Sequence, residues 1–108
     1  MESGAERYRR LCKAIEGEPL PCAVVDLDAL ERNAKKLNAI ASEHQKTLRL
    51  ASKSVRCPRL LRHIVDGGAG VVRGLMTYTA TETAFLASQG FDDLLLAYPT
   101  AQPSDAAL

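Results

Sequence analysis

The sequence predicts an α/β fold of parallel strands with crossover helices, a partial (β/α)8 TIM-type barrel truncated after about three strand-helix units. Three observations predict it. Strand-like runs begin near residues 47, 71 and 93, a spacing that fits a compact strand-turn-helix-turn unit. The stretches between them carry helix start and stop signals in the places such units need. Leu94, Leu95, Leu96 and Ala97 are continuously apolar, as in a strand covered on both faces. Because a closed barrel needs eight strands, three units leave an open sheet with two edges. The expectation is therefore a fragment, or a truncated relative, of a larger barrel.

Residues 1–20 read as an N-terminal helical segment and residues 21–108 as the barrel portion. Tyr8, Leu11, Cys12 and Ile15 recur at helical spacing over 5–16, and Gly17 and Pro19 end that helix. Pro21 to Leu27 is β-branched and apolar enough for a strand. Asp28 with Glu31 then resembles a capping pair, opening a helix whose apolar stripe is Leu30, Ala34, Leu37, Ile40 and Ala41. Thr47 to Ser52 follows as a strand. Cys57-Pro58 starts a helix with proline where its missing N–H does no harm, Leu60, Leu61, Ile64 and Val65 form its buried side, and Gly67-Gly68 close it. Val71 to Tyr78 is the next strand; Thr79 and Glu82 are spaced as a capping box for a helix that stops at Gly90. Asp93 to Tyr98 is the third strand, and Pro103-Ser104-Asp105 opens a further helix.

Composition narrows the function classes. A formal charge of +1, with acidic and basic residues interspersed, gives no basis for binding nucleic acid or an anionic membrane. Arg7, Arg9 and Arg10, beside Glu2 and Glu6, read as a solvated helix face. No apolar run reaches the length of a membrane span and no secretory leader is visible, so the cytoplasm is the expected location. Cys12, Cys22 and Cys57 are odd in number and lack metal-ligand spacing, which predicts reduced and mostly buried thiols. The run Gly67-Gly68-Ala69-Gly70 lies after a helix and before a strand, the reverse of the order a dinucleotide loop requires.

One residue stands out for chemistry. Side chains alternate along the strand Thr47 to Ser52, so Leu48, Leu50 and Ser52 face the helices while Arg49, Ala51 and Lys53 face the other way. Lys53 then projects from the strand's carboxyl end, where barrel active sites are built. An amine partly withdrawn from water there has a freed lone pair and can condense with an aldehyde. Tyr78, Glu82 and Tyr98 fall at the same ends of the following strands and could line the same mouth; a capping role for Glu82 and packing roles for the tyrosines are the ordinary alternatives.

The segments PCAVVDLDALERNAKKL, LRLASKSVRCP and GFDDLLLAYPT occur in the order of the opening strand and helix, first barrel strand and third barrel strand of the alanine racemase-like pyridoxal-phosphate enzymes. The stretch Pro21 to Thr100 resembles that family, most closely its D-threonine aldolase and D-serine dehydratase branch. The resemblance implies pyridoxal 5'-phosphate as cofactor, with Lys53 as its Schiff-base lysine and catalytic residue. It also implies Arg49 as a cofactor-binding residue, a D-amino acid as substrate, and a homodimer; Tyr78 joins the expected cofactor-binding residues by its position at the barrel mouth. Lyase and racemase activities both stay open, because Ala51 and Val55 stand where that branch carries histidines around its lysine. The family's phosphate loops, and the ligands of any divalent metal, belong to later strands or to a C-terminal β-domain. His44 and His63 read as surface helix residues and Cys57 as a helix-start residue. A non-catalytic cofactor-binding protein of the pyridoxal-phosphate homeostasis type, whose motif Ser52-Lys53 also fits, and an inactive fragment are the alternatives.

Overall fold

The computed structural model describes all of residues 1–108. Helices α1 (Gly4–Ala14) and α2 (Leu27–Glu43) precede β1 (Leu48–Ala51), α3 (Pro58–Gly67), β2 (Val72–Thr77), α4 (Ala80–Ser88), β3 (Leu94–Leu96) and α5 (Pro103–Ala106). A 3-10 turn, Ser52–Ser54, continues β1. The three strands pair in parallel in the order β1-β2-β3, with Ala51 opposite Met76 and Met76 opposite Leu95. The α/β class, the parallel pairing and the crossover helices are thus present.

Local chemistry sets most element ends. Pro58 occupies the first turn of α3, where no intrahelical N–H is lost, with Cys57 as its N-cap. Thr79 Oγ1 accepts the Glu82 N–H at 3.0 Å and starts α4. Ser3 and Glu6 form a reciprocal capping box on α1 that the sequence reading overlooked.

The structure departs from the sequence expectation in five respects, most of them in the N-terminal part. Residues 21–26 form no strand, and Val24 and Val25 are 48% and 44% exposed. A β-branched run needs a neighbouring ladder to receive its backbone groups, and none lies beside it. The cap of α2 is Asp26, whose Oδ1 accepts the Ala29 N–H at 3.1 Å, so Leu27 is already helical and the Asp28–Glu31 pair caps nothing. Arg7 and Arg10 of α1 reach this same carboxylate, at 3.8 and 3.0 Å, so the arginine cluster ties α1 to the start of α2. Of the α2 stripe only Ala41 is buried; Leu37 and Ile40 are exposed, and a groove of about 730 Å³ separates α2 from α3, with Glu31 and His63 bonded at 3.0 Å. Finally, Cys12 and Cys22 are exposed and Cys57 is half-buried: the thiols are free, but the packing that would bury them is missing.

The core forms around the central strand. Leu61 of α3, Leu86 of α4 and Phe91 pack on Leu75 of β2, with Leu50, Val55, Val65 and Leu94 around them. Because both crossover helices meet Leu75, both lie on one face of the sheet. On the other face Ala51 and Met76 are half-buried and Leu95 is 51% exposed. The molecule is a slab of 52 × 40 × 20 Å with 8237 Å² of accessible surface, against roughly 5,900 Å² for a compact monomer of this mass. The excess is larger than the roughly 800 Å² that one partner buries in a standard interface.

Two outcomes follow from this architecture. The isolated chain should self-associate through its bare face and sheet edges, read by sedimentation velocity; a monodisperse monomer with a cooperative melt would contradict it. The Ala29 backbone N–H and the Arg10 guanidinium hold the Asp26 carboxyl below its ordinary 3.8. A carboxyl with a lowered folded pKa stabilises above its ordinary value and loses that contribution as pH falls through the lowered one. Helicity followed by circular dichroism should therefore decline below pH 3.8, and Asp26→Asn should shrink that decline. An unchanged acid profile in the variant would remove Asp26 from the account.

Candidate functional site

At the end of β1 the ladder gives way to the turn Ser52–Ser54, closed by the Val55 N–H on the Ser52 carbonyl at 3.0 Å. Ser52 points to the helix side and is buried, as the alternation required. Its hydroxyl donates to Glu82 Oε1 at 2.6 Å and lies 3.2 Å from the Met76 carbonyl. The second oxygen of that carboxylate, Glu82 Oε2, accepts the Tyr78 N–H at 2.9 Å. One side chain from the first turn of α4 therefore joins the tips of β1 and β2. In a capping box this oxygen would serve the Thr79 N–H; it serves the residue before.

Lys53 sits in the middle of the turn. Its Nζ is 4.8 Å from the centroid of the Tyr78 ring, within the range where an ammonium is attracted to an aromatic face. Tyr78 in turn lies 5.5 Å from Tyr98, centroid to centroid, tilted by 47°. The carboxyl ends of all three strands thus contribute to one cluster: Lys53 after β1, Tyr78 after β2 and Tyr98 after β3. Lys53 is nonetheless exposed, so the expected withdrawal from water is not found. The 3-10 turn lifts it off the ladder, and Tyr98, which backs Tyr78, is itself 63% exposed.

Arg49 is not part of this cluster. It lies four residues earlier, level with the start of β3, and its guanidinium is spent on Asp93, with Nη2 on Oδ1 at 2.8 Å and Nη1 on the Asp93 carbonyl. Gly74 makes room for this pair: its φ is +64°, and a Cβ there would collide with the Asp93 carbonyl and with Arg49. Asp93 itself has a φ of +50°, a conformation Asp tolerates better than most residues. Arg49 thus orders the entry to β3 and is placed away from the amine.

Of the two positions where the aldolase-type pattern carries histidine, Ala51 is on the bare face of the sheet, whereas Val55 packs against the core cluster. Behind the rim, between the starts of α3 and α4, lies a cavity of about 460 Å³ bounded by Ser52, Arg56, Cys57, Tyr78, Glu82 and Phe85. His44 caps the end of α2 and His63 binds Glu31, both away from this region. No three His, Cys, Asp or Glu side chains converge into a group that could hold a metal ion. The sequence reading missed the Ser52–Glu82 bond and the Arg49–Asp93 pair. Both join residues brought together by strand register, and the only sequence signal was that Ser52 should face the helices.

Gly74→Ala tests the Arg49 layer. It should cost about 2 kcal/mol or more in urea unfolding, because it combines a positive φ with a backbone collision, while Arg73→Ala beside it should be near neutral. Equal effects of the two would contradict the assignment.

No family model, curated protein or solved structure matches the chain.

Proposed function

We propose that the chain is the N-terminal portion of a pyridoxal-phosphate-dependent enzyme with an alanine racemase-like barrel, and that Lys53 carries the cofactor. The observation that bears most weight is the position of the Lys53 amine, over the Tyr78 ring, which in turn packs on Tyr98, at the shared carboxyl rim of a parallel sheet. Enzymes built on (β/α)8 barrels place their chemistry at that rim. The barrel itself is part of the proposal. It is supported by the consecutive strand order and by the cover of helices on one face only, whereas a doubly wound sheet carries helices on both.

The residues present suit the aldehyde and ring end of such a cofactor. Lys53 offers a primary amine that solvent and an incoming aldehyde can reach, and Tyr78 offers an aromatic face beside it, backed by Tyr98. Bound there, the cofactor would withdraw electrons from a bond at the substrate Cα. Lys53, when its amine is free, is the group in this chain able to give or take a proton at that carbon. Tyr78 holds the Lys53 side chain across the rim. The substrate class of this reading is a small D-amino acid, and its parent is a cytoplasmic homodimer, with any divalent metal held by residues outside this chain. No helix is long and apolar enough to cross a membrane.

A second reading, a cofactor-binding protein of the homeostasis type without its own catalysis, is favoured by one observation. Val55 is turned into the core, so it leaves the second histidine position of the aldolase pattern without a polar group near Lys53.

Treatment with pyridoxal 5'-phosphate followed by borohydride reduction and peptide mapping tests the cofactor claim. Lys53 should be labelled in preference to Lys13, Lys35, Lys36 and Lys46, and Lys53→Ala should leave only the weak background at those sites. Labelling of Lys53 no stronger than of the helix lysines would overturn it.

A further inference from the structure

We infer that Glu82 is the positioning residue of this site: it fixes both members of the Lys53–Tyr78 pair without touching cofactor or substrate. The inference rests on the functional reading above for its purpose, but its geometry stands on its own. The Glu82 carboxylate has two oxygens and uses each on a different strand tip, Oε1 on the Ser52 hydroxyl at 2.6 Å and Oε2 on the Tyr78 N–H at 2.9 Å. Ser52 immediately precedes Lys53, and Tyr78 is the ring over which the Lys53 ammonium lies. A single side chain therefore sets the backbone on both sides of one contact.

Two features make this more than helix capping. Thr79 already caps α4 through the Glu82 N–H at 3.0 Å, so the Glu82 side chain is not needed to start the helix. Ser52 is 1% exposed, and in that dry position its hydroxyl meets a charged acceptor, the stronger kind of hydrogen bond. The 3-10 turn that presents Lys53 is closed by the Val55 N–H on the Ser52 carbonyl at 3.0 Å. Loss of the carboxylate would leave the Ser52 hydroxyl only the longer bond to the Met76 carbonyl at 3.2 Å and so loosen the turn, while Leu75 and its neighbours keep the sheet and helices together.

The two arms can be separated by substitution. Glu82→Ala removes both. Ser52→Ala removes only the β1 arm. Glu82→Gln keeps the length but replaces the charged acceptor by a neutral amide, whose oxygen can take the Tyr78 N–H while its NH2 turns to the Ser52 hydroxyl, so the charge-assisted bonds of both arms are weakened.

The readout is the NMR spectrum of the full chain without cofactor, through the ring-current shift of the Lys53 ε-methylene protons and their nuclear Overhauser contact to the Tyr78 ring. In the native chain Lys53 should be shifted upfield of Lys35, Lys36 and Lys46. In Glu82→Ala that shift and contact should be lost while the amide pattern of β2 and of α3 persists, and in Ser52→Ala and Glu82→Gln both should be reduced. A folded Glu82→Ala chain with Lys53 still shifted overturns the inference. If that variant does not fold, unchanged shifts in both Ser52→Ala and Glu82→Gln overturn it equally. Because no cofactor is present, failure here leaves the borohydride labelling of Lys53 to judge the functional reading separately.

Discussion

The packing of Leu61, Leu86 and Phe91 onto Leu75 is the constraint from which the rest of the structure follows. Leu75 is fully buried at the centre of the middle strand, and it is reached from both crossover helices at once. That one arrangement places α3 and α4 on the same face, keeps the strands in chain order and brings their carboxyl ends to one rim. With nine buried residues in 108, little else holds the chain together. Burial of this extent is small for a domain of this length, and the large exposed area is its counterpart.

One-sided cover has a chemical consequence. Residues alternating away from Leu75 and Thr77 are left facing outward: Ala51, Met76 and Leu95 in one row, and Arg49 with Asp93 below them. Above that row stand Lys53, Tyr78 and Tyr98. Arg49 on β1 and Lys53 in the turn after it therefore have different work. Arg49 is consumed by the entry to β3, where Gly74 opens the space it needs, and Lys53 is presented by a turn that the ladder does not constrain. The functional reading depends on the second of these placements and not on the first.

What the sequence made legible was governed by local rules. Pro58 after Cys57, the Thr79 cap of the Glu82 N–H, and the apolar strands expected to begin near 47, 71 and 93 all act within a few residues; the caps are found, and the strands begin one residue later, at 48, 72 and 94. The strand expected over Pro21 to Leu27 failed because strand propensity is fulfilled only by a partner ladder, which no local pattern reports. Asp26 and Asp28 are equally good caps by residue type; Asp26, the one that caps α2, is also the one that Arg7 and Arg10 reach from another helix. Leu37 and Ile40 looked like core because they share a stripe with Ala41, yet burial depends on what lies opposite. Glu82 was visible as a capping residue; its bonds to Ser52 and to the Tyr78 N–H depend on the register of β1 against β2.

If Leu75 is the centre on which both helices and both outer strands rely, its neighbourhood should be the last to open. Native-state hydrogen exchange resolved to single amides measures this directly. The account predicts that Leu75, Met76 and Thr77 exchange most slowly and together with the amides of α3 and α4, whereas α1, which buries no residue, exchanges far faster. A β2 strand that exchanges as quickly as α1, or helices that open independently of it, would contradict the account.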